Sequence, residues 1–195
     1  MVIYMSHEKA FHELKPARGD VVLDMGAHIG SYSLRYSRLV GQEGRVISFE
    51  PDPENRRILS WNLRLNNAQN VQVRREALGD FTGEGKLRIS SFPGQHSFVH
   101  SSKGIRQVSE IVVPVAKLDD IRLDKVDFVK MDVEGYELNV LRGGEKTILS
   151  LRPRMQIEVH GLHGPECQVC LWLEARGLSR TIIDRAPGSH WIEAR

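Results

Sequence analysis

At 195 residues, 41% of them hydrophobic and 27% charged, the chain is long enough for one packed core and short for two. Its 27 Lys and Arg against 25 Asp and Glu leave a formal net charge of +2, which excludes a strongly basic polyanion binder and an acidic disordered tail. Two cysteines exclude a disulfide-rich secreted framework, and no apolar run approaches the ~20 residues of a membrane span. The opening MVIYMSHEKAFHEL lacks the basic region, apolar stretch and small-residue site of a signal peptide, so the expected setting is a reducing, cytoplasmic one.

Apolar, β-branched runs alternate with stretches of helical period. VVLD at 21–24 reads as a buried strand, followed by a helix from Gly30 to Val40 with Tyr32, Tyr36, Leu39 and Val40 recurring at helical spacing. RVISFE at 45–50 is the next strand. A helix over 53–65 follows, with Pro53 in its first turn and Ile58, Trp61 and Leu65 as its expected core face. Strands over 71–75 and 126–132 come next, then a helix over 137–149. A strand over 154–160 precedes a helix through Cys170 and Trp172 that stops near Gly177, and two short strands at 180–184 and 190–193 end the chain. Strands alternating with helices predict an α/β fold, a Rossmann-like, doubly wound, mostly parallel seven-stranded sheet. The expected organisation is one domain over 1–195, with an N-terminal segment over 1–20. An insertion over 80–117, rich in glycine and serine, breaks the rhythm; strands at 86–90 and 111–115 flank its middle.

VVLDMGAHIGSYS carries the strongest chemical signal. A buried strand ends in Asp24, and Gly26 and Gly30 make a tight turn into a helix, where open α/β sheets bind ligands. The D-x-G-x-x-x-G spacing is not the G-x-G-x-x-G of dinucleotide enzymes, which counts against an oxidoreductase. Its acid would repel a pyrophosphate and suits a ligand carrying a cationic amine. Glu50, ending the second strand, is placed to take both hydroxyls of a ribose.

Together these residues resemble the class I S-adenosylmethionine-dependent methyltransferases. VDFVKMDVEGYELNVLRGG at 126–144 and RPRMQIEVHG at 152–161 narrow the resemblance to the FkbM family, over about 21–159. The resemblance implies that Asp24, Gly26, Ala27, His28 and Gly30 hold the methionine moiety, with Asp24 facing its ammonium and Ser31 near its carboxylate. It implies that Glu50 takes the ribose with Pro51 packed beside it, that Ala77 and Leu78 line the adenine pocket, and that Asp132 sits by the sulfonium. The expected reaction is O-methylation of a small-molecule, sugar or secondary-metabolite hydroxyl. An oxygen nucleophile must lose a proton, so Asp132, Glu134 and His160 are the catalytic candidates. Glu137 is read as a helix-start charge instead.

Other patterns are weighed against this. Asp132, Glu134 and Glu158 offer oxygen ligands for Mg²⁺, but no full ligand set is visible and no metal is expected. His160, His163, Cys167 and Cys170 lack a zinc-finger spacing, and the cysteines are read as free, small apolar residues. Arginines 56, 57, 64, 74 and 75 are read as a solvated face, so nucleic acid is not expected as a partner; a homo-oligomer is compatible with the sequence. The alternatives are an RNA or protein methyltransferase and a non-catalytic cofactor-binding partner subunit. Phe92, His96, Ser97, Phe98 and His100 are expected to shape a substrate lid.

Overall fold

The computed structural model describes residues 14–90, 107–161, 166–186 and 188–195. The expected lid residues and His163 lie outside them.

The expected sheet is present, with seven strands in the order β3-β2-β1-β7-β8-β10-β9. Its strands are β1 (Val21–Met25), β2 (Arg45–Phe49), β3 (Val71–Arg74), β7 (Phe128–Met131), β8 (Arg154–His160), β9 (Arg180–Ala186) and β10 (Ser189–Ala194). The first five pair in parallel, and β10 runs antiparallel to both β8 and β9. Helices are α1 (Ser31–Val40), α2 (Pro53–Leu65), α3 (Glu137–Gly143), α4 (Glu145–Leu151) and α5 (Gln168–Glu174). The long helix expected over 137–149 is thus two, parted at Gly143–Gly144, where glycine lowers helix propensity.

Strand period divides the core into two layers. Leu23, Met25, Ile47, Phe49, Val129, Met131 and Ile157 face α3, α4 and α5 through Val140, Leu141, Ile148 and Leu173. Val22, Val46 and Phe128 face α1 through Tyr36 and Val40. The insertion begins as a smaller sheet, β4 (Ala77–Leu78), β6 (Gln107–Ala116) and β5 (Gly83–Ser90), whose long hairpin exceeds the expected strands at both ends.

Helix α2 corrects one expectation. Its buried residues are Asn55, Leu59, Asn62 and Leu63, whereas Ile58, Trp61 and Leu65 are exposed. Leu59 and Leu63 pack on Ala27 and Leu34, and Asn62 Nδ2 donates to the Ile29 carbonyl at 2.8 Å. Polar Asn55 and Asn62 therefore sit inward, which hydropathy spacing alone reads as a solvent face.

The cysteines correct another. Cys167 and Cys170 are joined as a disulfide at the start of α5, both buried, with His190 Nε2 of β10 at 3.7 Å from each sulfur. The histidine gathered with them is His190, not His160. No helix among the described residues is long and apolar enough to cross a membrane.

Candidate active site

Strand order reverses between β1 and β7, so the loops leaving their carboxyl ends diverge and open a crevice. A cleft lies there, lined by Gly26, His28, Phe49, Glu50, Pro51, Ala77, Leu78, Leu87, Asp132, Glu134 and Tyr136 among others. Eight of the expected site residues thus meet in one cleft: Gly26, His28, Glu50, Pro51, Ala77, Leu78, Asp132 and Glu134.

Gly26 fixes the junction of the two loops. It has φ +80, and a Cβ built there would lie 1.9 Å from the Asp132 carbonyl oxygen. Only glycine permits both the backbone conformation and this approach. The Gly26 and Ala27 N–H groups donate to the Phe49 carbonyl at 3.1 and 3.0 Å, tying the turn to β2.

Glu50 is 5% exposed and opens on the cleft. The His28 N–H donates to its Oε2 at 2.7 Å and the Asp52 N–H to its Oε1 at 2.9 Å. Each oxygen thus keeps acceptor capacity for a ligand. Burial pushes this carboxyl up to about 7, against the pull of those two backbone donors. Ala77 and Leu78 of β4, with Phe49 and Leu87, give the neighbouring wall an apolar surface.

Asp24 stands one layer behind. Its side chain is 0% exposed and does not line the cleft. Cross-strand register sets Ser48, Asp24, Lys130 and Gln156 in one row across β2, β1, β7 and β8, all buried on the α1 side. Ser33 Oγ donates to Asp24 Oδ2 at 2.6 Å and lies 2.8 Å from Ser48 Oγ. Lys130 Nζ donates to the Gly26 carbonyl at 3.1 Å and stands 3.7 Å from Asp24 Oδ1 and 3.5 Å from Asp132 Oδ2. Burial pulls the Lys130 ammonium down, but Asp132 and Asp24 outweigh it and hold it above the usual lysine range. Ala27 is buried against Leu34 and Leu59, and Gly30 and Ser31 open α1; these three also lie off the cleft. Lys130 was invisible to sequence reasoning as a site residue, although its position two before Asp132 on one strand face was a usable signal.

Behind Glu134, at the other end of the cleft, stands His160. Its Nδ1 lies 2.9 Å from Glu137 Oε1, and its Nε2 lies 3.5 Å from Glu134 Oε2 and 3.8 Å from Glu158 Oε1. Glu137, read from sequence as a helix-start charge, is 2% exposed and also accepts the Gly135 N–H at 2.9 Å. Ser189 Oγ of β10 donates to Glu158 at 2.9 Å. Burial alone would push the His160 imidazolium down, but the Glu137 hydrogen bond and the charges of Glu137, Asp132 and Glu134 raise it to about 9. Burial, then the Asp132 charge, lifts Glu134 to about 7. Glu134 has φ +52, a left-handed backbone that costs a non-glycine residue on the order of 1 kcal/mol. Asp132, Glu158 and His160 each offer an atom within 4.8 Å of the others, a set able to hold a cation; the trio weighed from sequence, where no metal was expected, had Glu134 in place of His160.

Comparison with known proteins agrees with this geometry. The Methyltransferase FkbM domain matches residues 24–179. Methyltransferase sdnD of Sordaria araneosa is 28% identical, over 85% of this chain and 75% of its own. The 2-O-methyltransferase NoeI of Sinorhizobium fredii is 28% identical, over 68% of this chain and 60% of its own. Among solved structures, methyltransferase FkbM from Methylobacillus flagellatus superposes with a TM-score of 0.68 at 22% identity, over 93% of this chain and 45% of that longer one, and shares the fold. With the domain matched over most of its length, the chain belongs to the FkbM family and is an S-adenosylmethionine-dependent methyltransferase.

Proposed function

We propose that the chain methylates a hydroxyl oxygen of a small molecule, such as a sugar or secondary metabolite. One observation carries the reading: a single cleft has a ribose-type acceptor and apolar wall at one end and the carboxylates of Asp132 and Glu134 at the other, with His160 Nε2 3.5 Å behind Glu134. The relative NoeI, a 2-O-methyltransferase by name, supports oxygen as the target.

The residues present fit S-adenosylmethionine. Glu50 has an acceptor lone pair on each oxygen for two ribose hydroxyls, and Ala77, Leu78 and Leu87 suit a flat, apolar base. Gly26 and His28 border the space for the methionine part, and Pro51 closes the ribose side. Asp24, through Lys130, would steady the Gly26 turn from behind, while Ala27, Gly30 and Ser31 shape the turn into α1. When bound, the cofactor supplies an electrophilic methyl on a cationic sulfur, so the protein mainly positions and desolvates the reactants.

The rest falls to the chain's own groups. Asp132 and Glu134 line the cleft and accept hydrogen bonds from an incoming polyol. His160, beside Glu134, takes the hydroxyl proton on Nε2 in its neutral form. The carboxylates then stabilise the resulting imidazolium.

The test offers the protein methyl-labelled cofactor with a panel of glycosides and hydroxylated aromatics, and with RNA and a protein extract. Label in alkali-stable methyl ethers of small molecules is the expected result. Label recovered in RNA or protein instead would overturn the reading.

A further inference from the structure

We propose that Glu137 is the positioning residue for His160: it holds Nδ1 in the protonated state, so that the lone pair of the neutral ring sits on Nε2, on the side of Glu134 and the cleft it lines. The proposal rests on the reading of His160 as the proton acceptor and adds the group that makes it one.

Three observations carry it. First, Glu137 is a buried carboxylate, 2% exposed, in the interior at the start of α3. A charge so placed is retained only with partners, and its Oε1 has two: the Gly135 N–H at 2.9 Å and His160 Nδ1 at 2.9 Å. Second, the remaining ring nitrogen points the other way. Nε2 is flanked by Glu134 and Glu158, and Glu134 lines the cleft. A carboxylate behind one nitrogen of an imidazole fixes the tautomer and leaves the other nitrogen to accept a proton. Third, the geometry is assembled from separate elements. His160 ends β8, Glu137 opens α3, and Gly135 in the turn between Asp132 and α3 locks the carboxylate in place. The turn that presents Glu134 to the cleft is thus the one that seats Glu137 behind the ring.

The proton balance is simple. The acceptor O–H bond breaks, its electron pair stays on oxygen, and an Nε2–H bond forms. The ring becomes an imidazolium whose charge faces Glu137 on one side and Glu134 and Glu158 on the other, and the proton later passes to solvent. Among the described residues, the charged groups around the ring are Glu137 from α3, Asp132 and Glu134 from the loop after β7, and Glu158 from β8, all of them acids.

The test is ¹⁵N NMR of the histidine rings in the full chain, without cofactor or acceptor, with the His160→Gln spectrum identifying the signal. In the wild type, the neutral His160 ring should show a protonated Nδ1 and a bare Nε2. Glu137→Gln should move the ring proton to Nε2 in a measurable fraction of molecules, and Glu134→Gln should leave it on Nδ1. A neutral wild-type ring with its proton on Nε2 overturns the proposal. So does a tautomer that is unchanged in Glu137→Gln. If Glu137→Gln fails to fold, the wild-type tautomer alone decides. Failure of O-methylation with the expected tautomer would instead condemn the reading of the reaction and leave the pair standing.

Discussion

The two ends of the cleft are built by different means. At the Glu50 end the carboxylate is held by backbone N–H groups of His28 and Asp52, and the turn beneath it by the Phe49 carbonyl. At the His160 end the polar partners of the ring among the described residues are side chains, drawn from the loop after β7, from α3 and from β8. Backbone donors are present whatever residue they belong to, so the first end tolerates sequence change around a few fixed positions. Side-chain contacts vanish with the residue. One end is therefore suited to an invariant ligand and the other to an acceptor that differs between enzymes of one fold.

The largest expected effect comes where the two ends touch. Gly26→Ala places a Cβ 1.9 Å from the Asp132 carbonyl oxygen at a residue with φ +80. The β1 and β7 loops must part, which disturbs both ends at once. Calorimetric titration with S-adenosylhomocysteine should show affinity reduced by more than about a hundredfold, with a melting temperature lowered as well. Binding like the wild type would mean that the loops are not locked together as described.

A smaller effect separates the ends. Glu50→Gln keeps the shape but loses the charge that takes the ribose hydroxyls, so the same titration should weaken by about tenfold to a hundredfold. The His160 titration should stay where it was. The wild-type pH dependence has a definite sign. Glu50 is lifted to about 7 by burial, so its carboxylate forms only as pH rises through that value, and affinity should rise with it. Glu50→Gln should flatten that rise. The same shift costs the apo protein stability as pH climbs from about 4.5 to about 7, because the charged form is the disfavoured one in the fold. For His160 the direction is the same in a more alkaline window: its raised midpoint gives stability that is full below about 6.5 and is lost as pH rises through about 9.

The contrast between the ends also explains what could be read in advance. All seven strands of the sheet and the Gly26 and Glu50 end follow from local pattern, because strand period, glycine turns and strand-end acids are signals within a few residues. The His160 end was half legible. Asp132, Glu134 and His160 stood out as polar residues at strand ends, but Glu137 meets His160 across 23 positions, and nothing near Glu137 distinguishes it from an ordinary first-turn acid. Lys130 was missed for a similar reason. Its neighbours Asp24, Gly26 and Asp132 are set by parallel register, which one strand alone does not specify. The disulfide and its His190 neighbour likewise depend on β10 lying beside β8.

The smallest expected effect concerns the helix that supports the Glu50 end. Apolar spacing on α2 singled out Ile58, Trp61 and Leu65 as core, yet Trp61 is 60% exposed and Leu59 is the residue packed against the Gly30 turn. Trp61 lies with Arg57, Ser60, Arg64 and Leu65 around a shallow depression on the outer face. The polar side chains of Asn55 and Asn62 took the inward positions because they have work there: Asn62 satisfies the Ile29 carbonyl, and the Asn55 side chain hydrogen-bonds Glu50. Trp61→Ser should therefore shift stability by no more than about 0.5 kcal/mol, since most of the side chain already lies in solvent and its loss opens no enclosed cavity. Affinity for S-adenosylhomocysteine should be unchanged. Chemical denaturation of the two proteins reads the first and calorimetry the second. A loss above about 1 kcal/mol would show that this face is covered in solution, and a loss of affinity would show that the Glu50 end is held through the outer face of α2 as well as through Leu59.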